Sequence, residues 1–390
     1  MVIWLALLIP VITAFVLYRF FSHNTAWWEF AIPFAASLIL ILIMKFTTEL
    51  AQTSDTEYWS ATASHAIYSE PWDEEVPCRH SYDCNCTTDK DGRKSCSTCY
   101  EHSYDVDYHP AYWELVSSTG NSIYISEAKY NYFVNKWGNK KFVDQHRDYH
   151  SQDGDLYVTT FPGQDALIEC MVETRSYENR VQASHSVFNY PEIDLKDKQF
   201  YELFDYPELT EGYKQKSILG YGDSTQKTAE RKLEILNAKL GPKKQAKVFI
   251  LLFRNKNEDV AFQQECYWKG GNKNEFIVCI GIDNPNNVKW CRPFSFTEVQ
   301  DTKIETRNFV QNMGKLNLSS LSDFLYKEID TKFQRKHFKD FSYLTVEPKS
   351  WQIILTFVLT VILNVGLSWW LIRNEFTEDS PKGDNYRRRY

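Results

Sequence analysis

The chain has 390 residues, of which 43% are hydrophobic and 16% aromatic, and its formal net charge is −7 at pH 7. An acidic total offers no general basic surface for nucleic acid, and so many aromatic side chains exclude a wholly disordered stalk. The mean hydropathy is −0.46 although the chain contains three long apolar runs, so the residues between those runs must be distinctly polar.

The three apolar runs predict transmembrane helices. They cover residues 2–18, 30–44 and 351–372, and each is close to the roughly 20 residues that a helix needs to cross a bilayer. Tryptophans stand at their edges, as is typical of the headgroup region: Trp27, Trp28, Trp351, Trp369 and Trp370. We expect an integral membrane protein with a transmembrane hairpin at residues 1–48, a third span at 351–372 and a charged tail at 373–390. A cleaved signal peptide is the alternative for the first run.

The flanks of the spans leave the membrane orientation open. The hairpin places the N-terminus and the large domain on one side of the membrane and the tail on the other. Lysines and arginines are similarly abundant on both sides, so the positive-inside rule does not decide between them. The centres of the spans contain no charged residue, which indicates anchors rather than a transport pathway. Asn364 is the one strongly polar residue there, and we expect it to find its partner within the protein's own three helices.

The most distinctive local feature is a cysteine cluster in the segment 49–110, which we interpret as a Cys-rich module. Five of the nine cysteines lie there within one short stretch. Cys84-x-Cys86 and Cys96-x-x-Cys99 form two knuckles on either side of a turn-rich stretch, and such knuckles can place four thiolates around a tetrahedral zinc ion. These four cysteines are therefore the predicted ligands of a structural zinc.

Disulfides are the alternative interpretation of the same cluster, since such bridges persist in oxidising compartments. Cys78 is left over by either arrangement, and His80 and His102 flank the knuckles as further metal ligands. Four thiolates would close the coordination sphere, so we do not expect a catalytic metal. Formal glycosylation sequons at Asn85 and Asn317 do not decide the side of the membrane.

Residues 111–222 are predicted to form a β-rich mixed region. Two short apolar runs around the turn at 118–121 indicate a β-hairpin. A helix should follow, with Ser126 as its cap, Gly138 as its stop, and an apolar face that repeats at helical spacing. Residues 156–161 and 167–174 are predicted strands, and residues 177–221 show no clear period.

The segment 223–345 is predicted to be a mixed-sheet α/β domain. A helix capped by Asp223 and ended by Gly241-Pro242 precedes an apolar strand at 248–253. A second helix at 259–268, strands at 276–282 and 288–296, and a final amphipathic helix complete the segment. The fold class expected for the whole chain is therefore a membrane-anchored α+β or α/β protein.

A family resemblance covers Thr225 to about Phe333. It rests on the element order before a C-terminal span and on three stretches: Val248-Phe249-Ile250-Leu251-Leu252, Trp268-x-Gly270-Gly271 and Phe276-Ile277-Val278-Cys279-Ile280. In these features the segment resembles the TPM family of α/β domains, some members of which have been assigned phosphatase activity. The resemblance implies a membrane-tethered hydrolase, and no active residue is carried over from the family to this chain.

Other candidate sites have simpler explanations. The stretch Gly220 to Ser224 precedes a helix and could hold a phosphate, but it lacks the P-loop lysine, which favours a plain turn. His146 and His150 have the spacing of a helical metal pair without the glutamate of a metalloprotease, so we expect surface histidines. The remaining cysteines are expected to be buried small hydrophobes: Cys170, Cys266, Cys279 and Cys291.

Three functions remain open on this basis, with the first favoured. The first is a non-enzymatic membrane-anchored interaction or scaffold protein, in contact with the bilayer and a protein partner. The second is a TPM-like hydrolase, and the third is a redox or metal sensor. Carboxylates converging at the C-terminal ends of the strands would favour the enzyme, whereas an exposed aromatic surface would favour the interaction protein.

Overall fold

The computed structural model describes residues 2–21, 27–90, 92–147, 153–163, 167–184, 190–220, 225–296 and 299–374. The α-helices in chain order are α1 (Leu8–Phe21), α2 (Trp27–Thr53), α3 (Glu127–Trp137), α4 (Arg180–Ala183), α5 (Leu195–Tyr201), α6 (Gln226–Lys244), α7 (Asp259–Tyr267), α8 (Gln300–Asn312), α9 (Leu318–Lys332) and α10 (Ser350–Asn374). Short 3-10 helices cover Val2–Leu7 and Phe338–Phe341.

The strands in chain order are β1 (Ser54–Ser69), β2 (Trp72–Pro77), β3 (Ser81–Thr88), β4 (Lys94–Tyr100), β5 (Tyr104–His109), β6 (Tyr112–Ser117), β7 (Ser122–Tyr124), β8 (Lys140–Val143), β9 (Leu156–Thr160), β10 (Cys170–Glu178), β11 (Ile218–Gly220), β12 (Lys247–Arg254), β13 (Glu275–Asp283) and β14 (Asn287–Phe294). The protein is thus a mixed α+β molecule. Two compact units share these elements: a helical unit of Met1–Thr56, Ser176–Asn189 and His337–Tyr390, and a domain unit of Glu57–Arg175 and Tyr190–Lys336.

The helical unit contains three helices long and apolar enough to cross a membrane, over Val2–Arg19, Phe30–Thr53 and Ser350–Leu371. Each corresponds to one of the three apolar runs in the sequence. The second is longer than the run suggested, because α2 continues through Lys45 and ends only at Thr53.

Asn364 provides a polar link between two of these helices. It is fully buried on α10, and its Nδ2 donates to the Ser37 hydroxyl of α2 at 2.7 Å and to the Thr360 carbonyl oxygen at 2.7 Å. Gln52 donates to Gln352 at 3.0 Å, which links the same two helices a second time. The expectation that Asn364 finds its partner inside the protein is confirmed.

A six-stranded sheet forms one part of the domain unit. Its order is β7-β6-β1-β9-β8, and β10 also pairs with β1. The helix α3 contributes Tyr130 and Phe133 to the buried core beside the sheet. Its caps are as predicted: the Ser126 side chain accepts from the Lys129 N–H, and Gly138 has a φ of 66° and donates to the Val134 carbonyl.

The strand β1 occupies residues that the sequence placed in the Cys-rich module. Its residues 54–69 lie at the centre of the six-stranded sheet, flanked by β6 and β9. The cysteine-bearing part is therefore confined to residues 70–110, which we call the arm.

The second sheet has the order β11-β12-β13-β14, with β11, β12 and β13 parallel and β14 antiparallel. β12 and β13 are buried along almost their whole length, because helices α6, α8 and α9 lie on one face and α7 on the other. The mixed sheet was predicted, whereas β11 and α8 were not.

The predicted end of helix α6 at Gly241 is wrong. The helix continues to Lys244, and the N–H of Gln245 closes it by donating to the Gly241 carbonyl at 2.8 Å. Gly241 lies where the helix approaches β1, and a Cβ there would overlap the Ser60 carbonyl oxygen. The glycine therefore serves a close contact rather than a helix end. The predicted cap Asp223 lies outside the described residues.

Candidate functional site

The arm is one long antiparallel hairpin made of two ribbons. In the inner ribbon β2 pairs with β5, from Trp72 opposite His109 to Pro77 opposite Tyr104. In the outer ribbon β3 pairs with β4, with a bulge between Cys84 and Thr87. Two three-residue segments, 78–80 and 101–103, form the junction between the ribbons, and the Glu101 N–H donates to the His80 carbonyl there at 3.1 Å.

The structure joins the four predicted zinc ligands in two disulfides, which is the alternative that the sequence left open. Cys84 is bonded to Cys99, with a Cα–Cα distance of 5.7 Å, and Cys86 is bonded to Cys96. A disulfide sulfur is not a thiolate, so zinc ligation by these four residues requires the reduced form. The zinc assignment stays a prediction for that form.

The arm contains nearly all of the protein's net charge. Residues 70–110 include ten aspartates and glutamates against four lysines and arginines, so their net charge is −6 out of −7 for the whole chain. On one face the carboxylates are paired internally: Glu74 Oε2 lies 2.8 Å from His109 Nε2, and Asp107 binds Arg79 at 2.5 Å.

The other face of the inner ribbon exposes aromatic and apolar side chains. Tyr104, Val106 and Tyr108 alternate along β5 and therefore point to the same side, with 43%, 55% and 64% of their surface exposed. Across the ladder, Val106 is opposite Glu75 and Tyr108 is opposite Asp73. We call Tyr104, Val106 and Tyr108 the stripe; it is a row of exposed hydrophobic groups beside two acidic residues.

The two histidines that flank the knuckles meet at the junction. The ring centroids of His80 and His102 are 5.6 Å apart, and His102 Nε2 lies 2.5 Å from Asp105 Oδ1. The hydrogen bond from His102, followed by one from the Arg79 N–H, holds the pKa of the Asp105 carboxyl below its usual value. The sequence His-Ser-Tyr-Asp occurs at residues 80–83 and again at 102–105, and Asp105 of the second copy lies beside both histidines.

The other candidate residues of the sequence do not form reactive sites among the described residues. Cys266, Cys279 and Cys291 are buried free cysteines, and burial raises the pKa of each thiol, in Cys291 to about 12. Cys170 is half-buried, and burial raises its pKa to about 12 as well. The raised pKa values keep these thiols protonated at neutral pH. The expected burial is confirmed for Cys266, Cys279 and Cys291, whereas Cys170 is only partly buried. His146 is exposed beside Asp144 at 3.2 Å, and His150 lies outside the described residues.

A groove of about 660 Å³ lies at the carboxyl ends of β12 and β13, the edge where open parallel sheets usually bind ligands. Its lining mixes apolar side chains such as Leu252 and Leu316 with polar ones such as Asn286 and Lys315, and no described residue of the lining is a carboxylate. Asp283, at the end of β13, is paired with Lys289 at 2.8 Å. Of the turn that follows β11, the structure describes Gly220 and not residues 221–224.

A buried charged cluster at the opposite edge of this sheet was missed by sequence reasoning. Lys247 opens β12 and lies beside Glu275, which opens β13. Both are fully buried; burial lowers the pKa of Lys247 to about 7 and raises that of Glu275. Lys247 donates to Gln215, and Tyr206 donates to Glu275. The sequence signal that could have revealed the cluster is a charged residue, Lys247 or Glu275, directly before each apolar run. The cluster lies inside the domain core.

No family model, curated protein or solved structure matches this chain. The arm combines two disulfides, a net charge of −6 and the exposed stripe in one short segment.

Proposed function

We propose that this is an integral membrane protein that binds a basic protein surface through its arm. The observation that carries the proposal is the coincidence of three properties on one short hairpin. The arm has a net charge of −6, it exposes the stripe, and two disulfides hold its outer ribbon.

The chemistry of the stripe fits a lysine- or arginine-rich polypeptide. Tyrosine is enriched at interface hot spots, because its ring buries a large area with little loss of side-chain entropy. Cations are attracted to the faces of aromatic rings, and Asp73 and Glu75 lie on the same side of the ribbon as the tyrosines. The disulfides lie in the outer ribbon, which continues the inner ribbon that carries the stripe, and they restrict the freedom of the hairpin before it binds.

The disulfides also bear on the side of the membrane. Such bridges form and persist in oxidising compartments, which supports an arm on the extracytoplasmic side. Three helices long enough to span a membrane are consistent with this anchoring.

Site-specific photocrosslinking tests the proposal. A photoreactive residue is placed at Tyr104 or Tyr108 of the full chain in the membranes of cells that make it, and at Tyr124 as the control. Tyr124 is 76% exposed on β7 and lies outside the arm. We expect one discrete adduct from the two stripe positions and none from Tyr124, with a crosslinked peptide rich in lysine and arginine.

Charge reversal makes the test specific. Asp73→Lys with Glu75→Lys should remove the adduct; both residues are half-buried, so the level of the variant in the membrane is measured alongside. An adduct that survives this double substitution, or equal labelling from Tyr124, would exclude the acidic arm as the binding element.

A TPM-like hydrolase is the second candidate, and the groove at the carboxyl ends of the strands favours it. The polar residues Asn286 and Lys315 would contact a bound phosphate there. Aryl phosphate turnover by the purified full chain with divalent cations, lost in Lys315→Ala and Asn286→Ala, would support this candidate. Absence of turnover with Mg²⁺, Mn²⁺, Ca²⁺ and Zn²⁺ would remove it.

A further inference from the structure

The junction of the arm brings together side chains that can bind a metal ion. One potential ligand atom from each of Cys78, His102 and Asp105 lies within 4.8 Å of the other two. His80 adds a second imidazole, with its Nε2 3.9 Å from Asp105 Oδ1. These residues come from both strands of the hairpin, so β2–β5 pairing and the junction, rather than sequence proximity alone, create the cluster.

We propose that Cys78, His80, His102 and Asp105 form a binding site for Zn²⁺. Thiolate, imidazole and carboxylate are the ligands that zinc takes in proteins, and four of them complete a tetrahedral sphere. Ligand atoms at about 2.0–2.3 Å from a tetrahedral zinc lie roughly 3.3–3.8 Å from one another. The His80–Asp105 distance of 3.9 Å is already close to this, and His102, with 42% of its side chain exposed, can adjust.

The surroundings of Asp105 prepare it for this role. Its Oδ2 accepts the Arg79 backbone N–H at 2.6 Å, which orients Oδ1 towards the two histidines. Metal-binding carboxylates commonly have such a supporting hydrogen bond on the second oxygen. Cys78 is buried, with 7% of its surface exposed, and its sulfur lies 3.5 Å from the His80 carbonyl oxygen.

The disulfides leave Cys78 as the cysteine of the arm that can supply a thiolate to a metal ion. Four of the five cysteines in the arm are bonded to each other, and Cys78 is the free one. The proposed zinc site therefore differs from the four-cysteine site expected from the sequence and coexists with the disulfides. Zinc at the junction would fix the outer ribbon relative to the inner one, independently of whether the stripe binds a partner.

Zinc titration of the full-length protein in mild detergent tests the site. The metal-free protein is titrated against a chromophoric zinc chelator without reductant, and cobalt is used in parallel, because a thiolate ligand gives cobalt a characteristic charge-transfer absorption. We expect one zinc per chain. Cys78→Ser and His102→Gln should each weaken zinc binding by about 100-fold or more, and Cys78→Ser should also remove the charge-transfer absorption.

His109→Gln is the matched control, since His109 is a histidine of the same arm that binds a carboxylate, Glu74, away from the junction. It should leave zinc affinity unchanged. If Cys78→Ser fails to fold, His102→Gln and Asp105→Asn decide, because both residues are partly exposed. Zinc binding that is lost in Cys84→Ser but retained in Cys78→Ser would overturn the proposal in favour of the four-cysteine site. Absence of stoichiometric zinc binding would overturn it outright.

Discussion

Replacing Lys247 by methionine should remove a pH dependence from the stability of the domain unit. Lys247 is fully buried at the start of β12, and burial lowers its pKa to about 7, against about 10.5 for an exposed lysine. Glu275 faces it across the ladder and opposes this shift, but desolvation dominates.

The sign of the effect follows from proton linkage. Between pH 7 and about 10.5 the unfolded chain holds a proton on this lysine that the folded chain has lost, so the free energy of unfolding rises with pH. With pKa values of about 7 and about 10.5, the destabilisation caused by Lys247 falls by about 2 kcal/mol between pH 7 and pH 9. The wild-type protein should gain that amount relative to Lys247→Met.

Pulse proteolysis in urea measures this difference on the full chain in mild detergent, because cleavage reports unfolding of the water-exposed domain. The wild type, Lys247→Met and the control Lys327→Met, an exposed lysine of α9, are compared at pH 7, 8 and 9. Lys327→Met should follow the wild type at every pH. A wild-type advantage over Lys247→Met that stays constant from pH 7 to pH 9 would refute the reasoning, since Lys247 would then titrate like an exposed lysine.

Two further predictions concern packing in the two units. Gly241→Ala should destabilise the domain by about 1–3 kcal/mol in the same assay, because its Cβ would overlap the Ser60 carbonyl oxygen, whereas Gly163→Ala should be nearly neutral, since nothing lies within 4 Å of its Cβ. Equal effects of the two alanines would contradict the close contact. Asn364→Leu should destabilise the helical unit by about 1 kcal/mol, measured by unfolding in mixed detergent micelles, because it removes the hydrogen bond to Ser37. An unchanged unfolding midpoint would show that this bond contributes nothing.

Local signals made part of the fold predictable. The three spans follow from runs of apolar residues, and α3 follows from an apolar face between a serine and a glycine. The strands β12 and β13 are predictable from uninterrupted apolar runs, a pattern typical of strands that are covered on both faces. In each case the residues that define the element are neighbours in sequence.

The missed elements lack such signals. β1 alternates small, polar and aromatic residues over 16 positions and packs by pairing with distant strands. The buried face of α8 consists of Thr302, Thr306 and Val310, so two of its three core positions are polar by residue type. The end of α6 was misplaced because Gly241-Pro242 resembles a helix stop, whereas the glycine is needed for a tertiary contact that sequence does not reveal.

The candidate site was only partly predictable, for the same reason. The cysteine cluster is evident from its spacing, but spacing alone does not distinguish four zinc ligands from two disulfides. The junction cluster depends on the ladder that brings Cys78 near His102 and Asp105, residues more than twenty positions further along the chain. The stripe depends on which face of β5 is exposed.

Cysteine mapping by mass spectrometry determines which cysteines of the arm are paired, and surface labelling in the same experiment determines on which side of the membrane the arm lies. The full-length protein is taken from its own membranes without reductant, denatured and alkylated, after labelling intact cells or vesicles with an impermeant amine reagent. We predict links between Cys84 and Cys99 and between Cys86 and Cys96, five alkylated cysteines per chain, and labelling of the arm lysines from the extracytoplasmic side. Nine alkylated cysteines, or arm lysines labelled only after the membrane is opened, would contradict a disulfide-held arm presented outside the cytoplasm.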